Sequence, residues 1–109
     1  MSIKNRSDIK PIQDACEQLQ EMYNSKNLSI SYATITNKSK THKHLKMEEV
    51  YYIVKGKGKI KIGENIFDIK PGDIIPIPKK TYHNIESVES PIELIVVTYP
   101  KYIKNDLIY

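Results

Sequence analysis

Apolar and polar residues alternate along most of the chain after residue 27. The stretch Leu28–Thr36 alternates small polar residues with isoleucine and tyrosine, and Glu49–Val54 is rich in valine, tyrosine and isoleucine. Period-two patterns of β-branched and aromatic residues are typical of strands. Glycine and proline recur between the remaining apolar stretches, so turns are predicted at 56–58, 63–65 and 71–73. The turn at 63–65 is predicted to be a tight hairpin. Further short strands are predicted at 59–62, 66–69, 74–78, 83–86 and 93–99.

The pattern before residue 28 is different. The stretch Pro11–Tyr23 is rich in glutamine, glutamate, alanine and leucine, and proline suits the first turn of a helix. Four residues recur at helical spacing and form one apolar stripe: Ile12, Cys16, Leu19 and Tyr23. These residues predict a helix over 11–23. Cys16 is interpreted as a small core residue of that helix rather than as a nucleophile.

Many short strands with regular turns predict an all-β sandwich or barrel. At 109 residues the chain is expected to form one domain. We divide it into an N-terminal segment, 1–27, which carries the helix, and a barrel, 28–109. The single cysteine excludes an internal disulfide, and no stretch has the apolar length of a membrane span. We therefore expect a cytoplasmic protein with no membrane partner.

The net charge of +4 comes from lysine almost entirely, because Arg6 is the one arginine among 17 basic residues. Nucleic-acid readers favour arginine forks and basic patches with aromatic residues. No such patch or helix-turn-helix pattern is evident, so no nucleic-acid partner is expected.

The chain has three histidines, and all three belong to one pattern of motifs that also includes Glu49. His42 and His44 are two residues apart, which on a strand places both rings on the same face. A third imidazole, His83, and the carboxylate of Glu49 would complete a cage for a divalent metal ion. Glu48 is an alternative carboxylate ligand. Without a thiolate the donor set admits Mn, Fe, Ni, Co, Cu or Zn.

The spacing of these residues resembles the paired motifs of the cupin family. His42, His44, Glu49 and Gly56 are similar to the first motif, and the run from Gly72 through Pro78 to His83 is similar to the second. The resemblance covers roughly residues 28–99. It implies a double-stranded β-helix, the jelly-roll barrel, preceded here by the short N-terminal helix. It also implies a metal ion held by His42, His44, Glu49 and His83, and a homodimer that pairs through an outer sheet face.

The C-terminal part has a second, finer likeness. The strand Pro91–Val97, followed by Tyr102–Ile103 and Asn105–Ile108, resembles the closing strand and tail of phosphomannose isomerase-type cupin domains. The arginine that tends to follow in that family is missing. The likeness therefore supports the barrel more than it supports sugar isomerisation.

The expected site leaves metal positions open for a small oxygenated substrate. Strand parity places Tyr51 and Ile53 on the same face as Glu49, so Tyr51 is a candidate catalytic donor or a packing residue. Ile85 shares the face of His83, and either Ile95 and Val97 or their neighbours complete the wall. Two functions follow: a metalloenzyme, either isomerase-like or dioxygenase-like, or a non-catalytic small-molecule or metal-sensing module.

Overall fold

The computed structural model describes residues 3–15 and 17–109. Within them the chain is almost entirely β-structure, and the one helical element is a single 3₁₀ turn at Arg6–Asp8. The seven strands are β1 (Ile12–Asp14), β2 (Glu17–Asn24), β3 (Ser29–Ile35), β4 (Glu48–Ile62), β5 (Asn65–Ile69), β6 (Ile74–Ile77) and β7 (His83–Tyr99).

All seven strands join one antiparallel sheet, in the order β1-β2-β3-β7-β4-β5, with β6 also paired to β4. Strand β4 uses β7 on one edge, while its other edge pairs first with β6 and then with β5. No pairing between β5 and β6 or between β1 and β5 closes the sheet in the described residues. The all-β prediction is confirmed, and the barrel is an open one.

The predicted helix over 11–23 is wrong. The segment forms β1 and β2, and β2 runs antiparallel along β3 from Gln18 opposite Thr34 to Asn24 opposite Ser29. Pairing with β2 provides hydrogen-bond partners for the backbone N–H and C=O groups at the edge of β3, which would otherwise be exposed. The gain from this pairing outweighs the weak helix propensity of the segment. Two residues of the supposed stripe, Ile12 and Tyr23, are about half exposed, at 46% and 53%. Cys16 lies outside the described residues. The division at residue 27 stays a prediction, although β2 belongs to the same sheet as β3.

Strands β4 and β7 are longer than predicted. Each merges two predicted strands, so the expected turn at 56–58 is wrong: Gly56 and Gly58 lie inside β4. Both glycines are needed because β7 passes very close. A Cβ at Gly56 would lie 2.0 Å from the carbonyl oxygen of Pro91, and one at Gly58 would lie 2.2 Å from that of Ser87. The hairpin predicted at 63–65 is confirmed, since Ile62 pairs directly with Asn65.

The β4–β7 ribbon is strongly curled. Glu49 lies near one end of the ribbon, opposite Thr98, and His83 lies at the other end, opposite Ile62. A straight strand would separate Glu49 from Ile62 by about 43 Å, at roughly 3.3 Å for each of about 13 residues. Yet a carboxylate oxygen of Glu49 lies 3.1 Å from the ring of His83. Four register shifts in this pair, between Ile53 and Ile60, supply the bulges that bend it.

The core lies inside the curl and is built from one face of each long strand. Its largest members are isoleucine, leucine and tyrosine side chains from β3, β4 and β7 that are almost fully buried: Ile35, Tyr51, Ile53, Ile60, Ile85, Ile92 and Leu94. In the described residues, no helix has the length and apolar character needed to cross a bilayer.

Replacing Gly56 by alanine tests the importance of the close approach between β4 and β7. Gly56 has a φ of +88°, and its added Cβ would meet backbone atoms that cannot move aside. We expect Gly56→Ala to lower the free energy of unfolding by about 2–4 kcal/mol, measured as a shift of the urea midpoint. Gly63→Ala is the matched control. Its φ is also positive, at +58°, but the space beside it is open, so its loss should be clearly smaller. Equal losses would mean that the close approach is unimportant.

Candidate metal centre

The structure brings together the four residues that the motif spacing singled out. His42 and His44 lie just before β4, Glu49 is on β4, and His83 begins β7. All four side chains are buried, and their ligand atoms lie within 4.8 Å of one another. The alternative carboxylate, Glu48, is exposed. The backbone of His42 pairs with that of His83 through two hydrogen bonds of 3.1 and 2.9 Å, which anchors the His-x-His segment to β7.

Each imidazole is oriented by a backbone carbonyl. The Nδ1 atoms of His42, His44 and His83 lie 2.7, 2.5 and 3.0 Å from the carbonyl oxygens of Lys40, Asp106 and Thr81. A carbonyl only accepts hydrogen bonds, so each ring donates from Nδ1. In the neutral ring the lone pair is then on Nε2. This arrangement, with Nδ1 held by an outer partner, is the usual one for histidine ligands of metals.

The Glu49 carboxylate faces two of these Nε2 atoms. Its Oε1 lies 3.1 Å from Nε2 of His83 and 3.3 Å from Nε2 of His44. Despite these distances, Glu49 Oε1 and His83 Nε2 are buried without a properly directed hydrogen bond from any described residue. Buried polar atoms are normally satisfied. A cation between the carboxylate and the imidazoles would satisfy both atoms, so this donor set fits a divalent metal ion.

Burial and the mutual contacts of the four side chains shift the pKa values of the site, in different directions for different residues. Burial, reinforced by the charge of His83, lowers the pKa of His42 to about 4, so its ring is neutral and able to coordinate. Burial alone would raise the pKa of Glu49, but the imidazoles of His44 and His83 outweigh it and hold that pKa at about 2. For His44, burial lowers the pKa, and the adjacent Glu49 carboxylate reverses the effect and raises it.

Asp106 connects the C-terminal tail to this centre, and sequence reasoning missed it. Besides the carbonyl that orients His44, its carboxylate accepts hydrogen bonds of 2.9 Å from the backbone N–H groups of Leu45, Lys46 and Met47. These residues form the short connection between His44 and Glu49. The sequence signal was the acidic residue in the tail likeness, but its contact lies about 60 residues away along the chain.

A small cavity adjoins three of the four candidate ligands, His42, His44 and Glu49. Its volume is about 20 Å³, room for about one water molecule. The structure shows which residues of β7 face the interior. They are Leu94, Val96 and Thr98, the neighbours of Ile95 and Val97. Tyr51 is buried as expected, with its ring centre 6.2 Å from that of His83, but it is not among the residues that line this cavity. Its catalytic role stays a prediction.

An open antiparallel jelly roll with three histidines and a glutamate at its bent ribbon defines a class of small β-proteins with an internal cluster that could hold a metal ion. Residues 31–98 match the family model described as a cupin domain. The chain belongs to the cupin family.

Known proteins with this fold have varied activities. An uncharacterized protein of Methanocaldococcus jannaschii is 38% identical over 88 residues, which are 78% of this chain and 70% of that protein. A predicted oxalate decarboxylase of Thermotoga maritima has a TM-score of 0.77 and 20% identity, covering 92% of this chain and 99% of the other. A nucleoside dehydratase of Streptomyces has a TM-score of 0.82 and 14% identity, covering 99% and 90%. At such identities the structural matches show the fold alone.

Removing the Asp106 carboxylate tests its role in holding the connection at 45–47. Three backbone donors hold the pKa of Asp106 below its ordinary value, against the opposing effect of burial. A lowered pKa stabilises the fold above the ordinary value of 3.8, and that stability is lost as pH falls through the lowered pKa. In metal-free protein we expect Asp106→Ala to cost about 3 kcal/mol at neutral pH.

The measurement for this variant is urea unfolding in chelator at several pH values. The difference from wild type should be constant near neutrality and shrink below about pH 4. Asn105→Ala, at the exposed neighbouring position, is the control and should change little. A pH-independent cost would contradict an effect of the charged carboxylate.

Proposed function

We propose that this cupin binds one divalent metal ion through His42, His44, Glu49 and His83, and acts as a metalloenzyme on a small oxygenated molecule. The observation that carries the proposal is the pair of unsatisfied atoms, Glu49 Oε1 and His83 Nε2, at the meeting point of three carbonyl-oriented rings. The bound ion would supply a Lewis acid for a carbonyl or hydroxyl oxygen, or a site for O₂. Isomerase-like and dioxygenase-like reactions are both compatible with this donor set.

The protein groups around the ion have separate roles in this proposal. The three histidines and Glu49 would hold the ion beside the cavity. Tyr51, on the same β4 face as Glu49, is proposed as a hydrogen-bond donor in the interior. Leu19 and Val96, the buried apolar residues of the cavity lining, limit the access of water, which strengthens every charge interaction at the centre.

A second candidate function is a non-catalytic metal- or ligand-sensing module. The size of the cavity favours this candidate, because about 20 Å³ beside the ligands accepts an organic substrate only after rearrangement. Turnover that is lost with the metal would favour the enzyme. A conformational response to metal, without any product from a panel of hydroxy acids, keto acids and sugars, would favour the sensor.

We also propose a homodimer that pairs through the outer face of the sheet. Several residues of β4 and β7 that alternate with the core are apolar and cross-strand neighbours, since Val50 pairs with Val97 and Tyr52 with Ile95. Tyr52 and Ile74, paired side by side, are 45% and 67% exposed. A continuous apolar strip of this kind is typical of interfaces. Neither a nucleic-acid nor a membrane partner is proposed, and the cytoplasmic location stays a prediction.

Metal analysis of His83→Ala tests the metal centre. Elemental analysis of wild-type protein prepared without chelator should give about one ion per chain, as expected for a site of four protein ligands. The variant loses a direct ligand, so its affinity should fall by more than the roughly 10–100-fold that loss of an outer partner costs. Tyr82→Phe, at the adjacent half-exposed position, is the control and should keep its metal. Undiminished metal in His83→Ala would exclude this ligand set.

A charge placed on the outer face tests the dimer. Tyr52→Lys should convert a dimer into a monomer, because a lysine buried in an apolar interface is costly to desolvate. Light scattering coupled to size exclusion measures the mass. Ile66→Lys, an exposed apolar position on β5 outside this face, is the control and should leave the mass unchanged. A monomeric wild type, or a Tyr52→Lys variant of unchanged mass, would contradict the proposed interface.

A further inference from the structure

The cavity beside the candidate ligands is also lined by residues whose side chains carry oxygen atoms. They are four residues from four parts of the chain, which we call the polar wall: Asp14, Ser31, Thr98 and Tyr102. Asp14 ends β1, Ser31 lies on β3 and Thr98 on β7. None of them belongs to the paired histidine motifs. Two apolar residues, Leu19 and Val96, separate these oxygens within the lining.

Thr98 is the residue that points to a ligand. It is the direct cross-strand partner of Glu49, and such pairs hold their side chains on the same face about 5 Å apart. Its side chain is 2% exposed, and its Oγ1 has no hydrogen-bond partner among the described residues. Burying a hydroxyl without a partner costs free energy. A ligand oxygen in the cavity would remove that cost.

Asp14 and Tyr102 form the other half of the wall. The Tyr102 hydroxyl donates a hydrogen bond to Oδ2 of Asp14, and the Tyr102 backbone N–H is held at 2.6 Å by the hydroxyl of Ser29. Asp14 also lines a neighbouring open groove of about 350 Å³, beside Lys38, Lys40 and Tyr109. Asp14 is thus a lining residue of both spaces, and we take a movement of its side chain toward the groove as the change that gives the cavity room for a molecule of a few carbon atoms.

We propose that the polar wall is the substrate subsite of the metal centre, and that it selects small molecules carrying a hydroxyl next to the oxygen that binds the metal. Thr98 and Tyr102 contact the hydroxyl directly, while the Asp14 side chain moves aside toward the groove. The ligand class is thus a 2-hydroxy acid or a related compound with two neighbouring oxygens. This inference rests on the proposed metal binding and adds the specificity that the four metal ligands do not provide.

A comparison of glycolate with acetate tests the subsite, because the two differ only by the neighbouring hydroxyl. Protein loaded with Co²⁺, which this donor set admits, is titrated with each acid and followed by its visible spectrum. Wild type should bind glycolate about tenfold more tightly than acetate, or better, since one satisfied buried hydrogen bond is worth roughly that factor. Thr98→Val and Tyr102→Phe should each lower the preference to about twofold or less, while acetate affinity changes little.

Three controls separate the possible outcomes. Thr34→Val makes the same change on β3 at a position outside the cavity lining, and should keep the preference. Thr98→Ser retains a hydroxyl and should keep most of it, which guards against a folding defect in the valine variant. Absence of a Co²⁺ spectrum before any acid is added would refute the proposed metal binding itself. A normal spectrum with equal affinity for both acids, or a preference that survives both substitutions, would overturn the polar wall as the subsite.

Discussion

The antiparallel pairing of β4 with β7 is the constraint on which the metal centre depends. Glu49 and His83 lie at opposite ends of this ribbon, so they meet only because the ribbon is bent back on itself. The bend needs bulges and two positions without side chains, Gly56 and Gly58, where β7 crosses at less than normal contact distance for a Cβ. The same pairing sets Thr98 beside Glu49. The curvature of this one pair of strands therefore determines both the shape of the fold and the position of the site.

The orientation of the ligands comes from the backbone rather than from other side chains. Three carbonyls, from Lys40, Thr81 and Asp106, fix the three rings. A carbonyl cannot titrate, so it can hold each ring in the same orientation over a wide pH range, while the Nε2 lone pair is available only when the ring is neutral.

The sequence predicted the histidine–glutamate cluster better than it predicted the strands around it. His42, His44, Glu49 and His83 were identified because their spacing is local within two motifs, and alternation placed Tyr51 and Ile53 in the interior. The N-terminal segment was predicted incorrectly because its apolar residues recur at helical spacing, although the segment can also form strands. It forms strands because the edge of β3 is available for pairing, which the local sequence does not show. Glycine was read as a turn signal at Gly56 and Gly58, whereas its reason is a neighbour more than 25 residues away. The roles of Asp106 and Thr98 also depend on contacts with residues far away along the chain, and no local sequence pattern predicts such contacts.

The Asp106 contact has a consequence for the order of events during synthesis. The histidine pair emerges early, yet the carbonyl that orients His44 and the carboxylate that holds residues 45–47 come some 60 residues later. His83 and all of β7 also follow. A growing chain on the ribosome therefore holds two unoriented imidazoles until residues 83–106 have left the exit tunnel. The arrangement of the four candidate ligands is complete only once Asp106 has folded back onto residues 45–47.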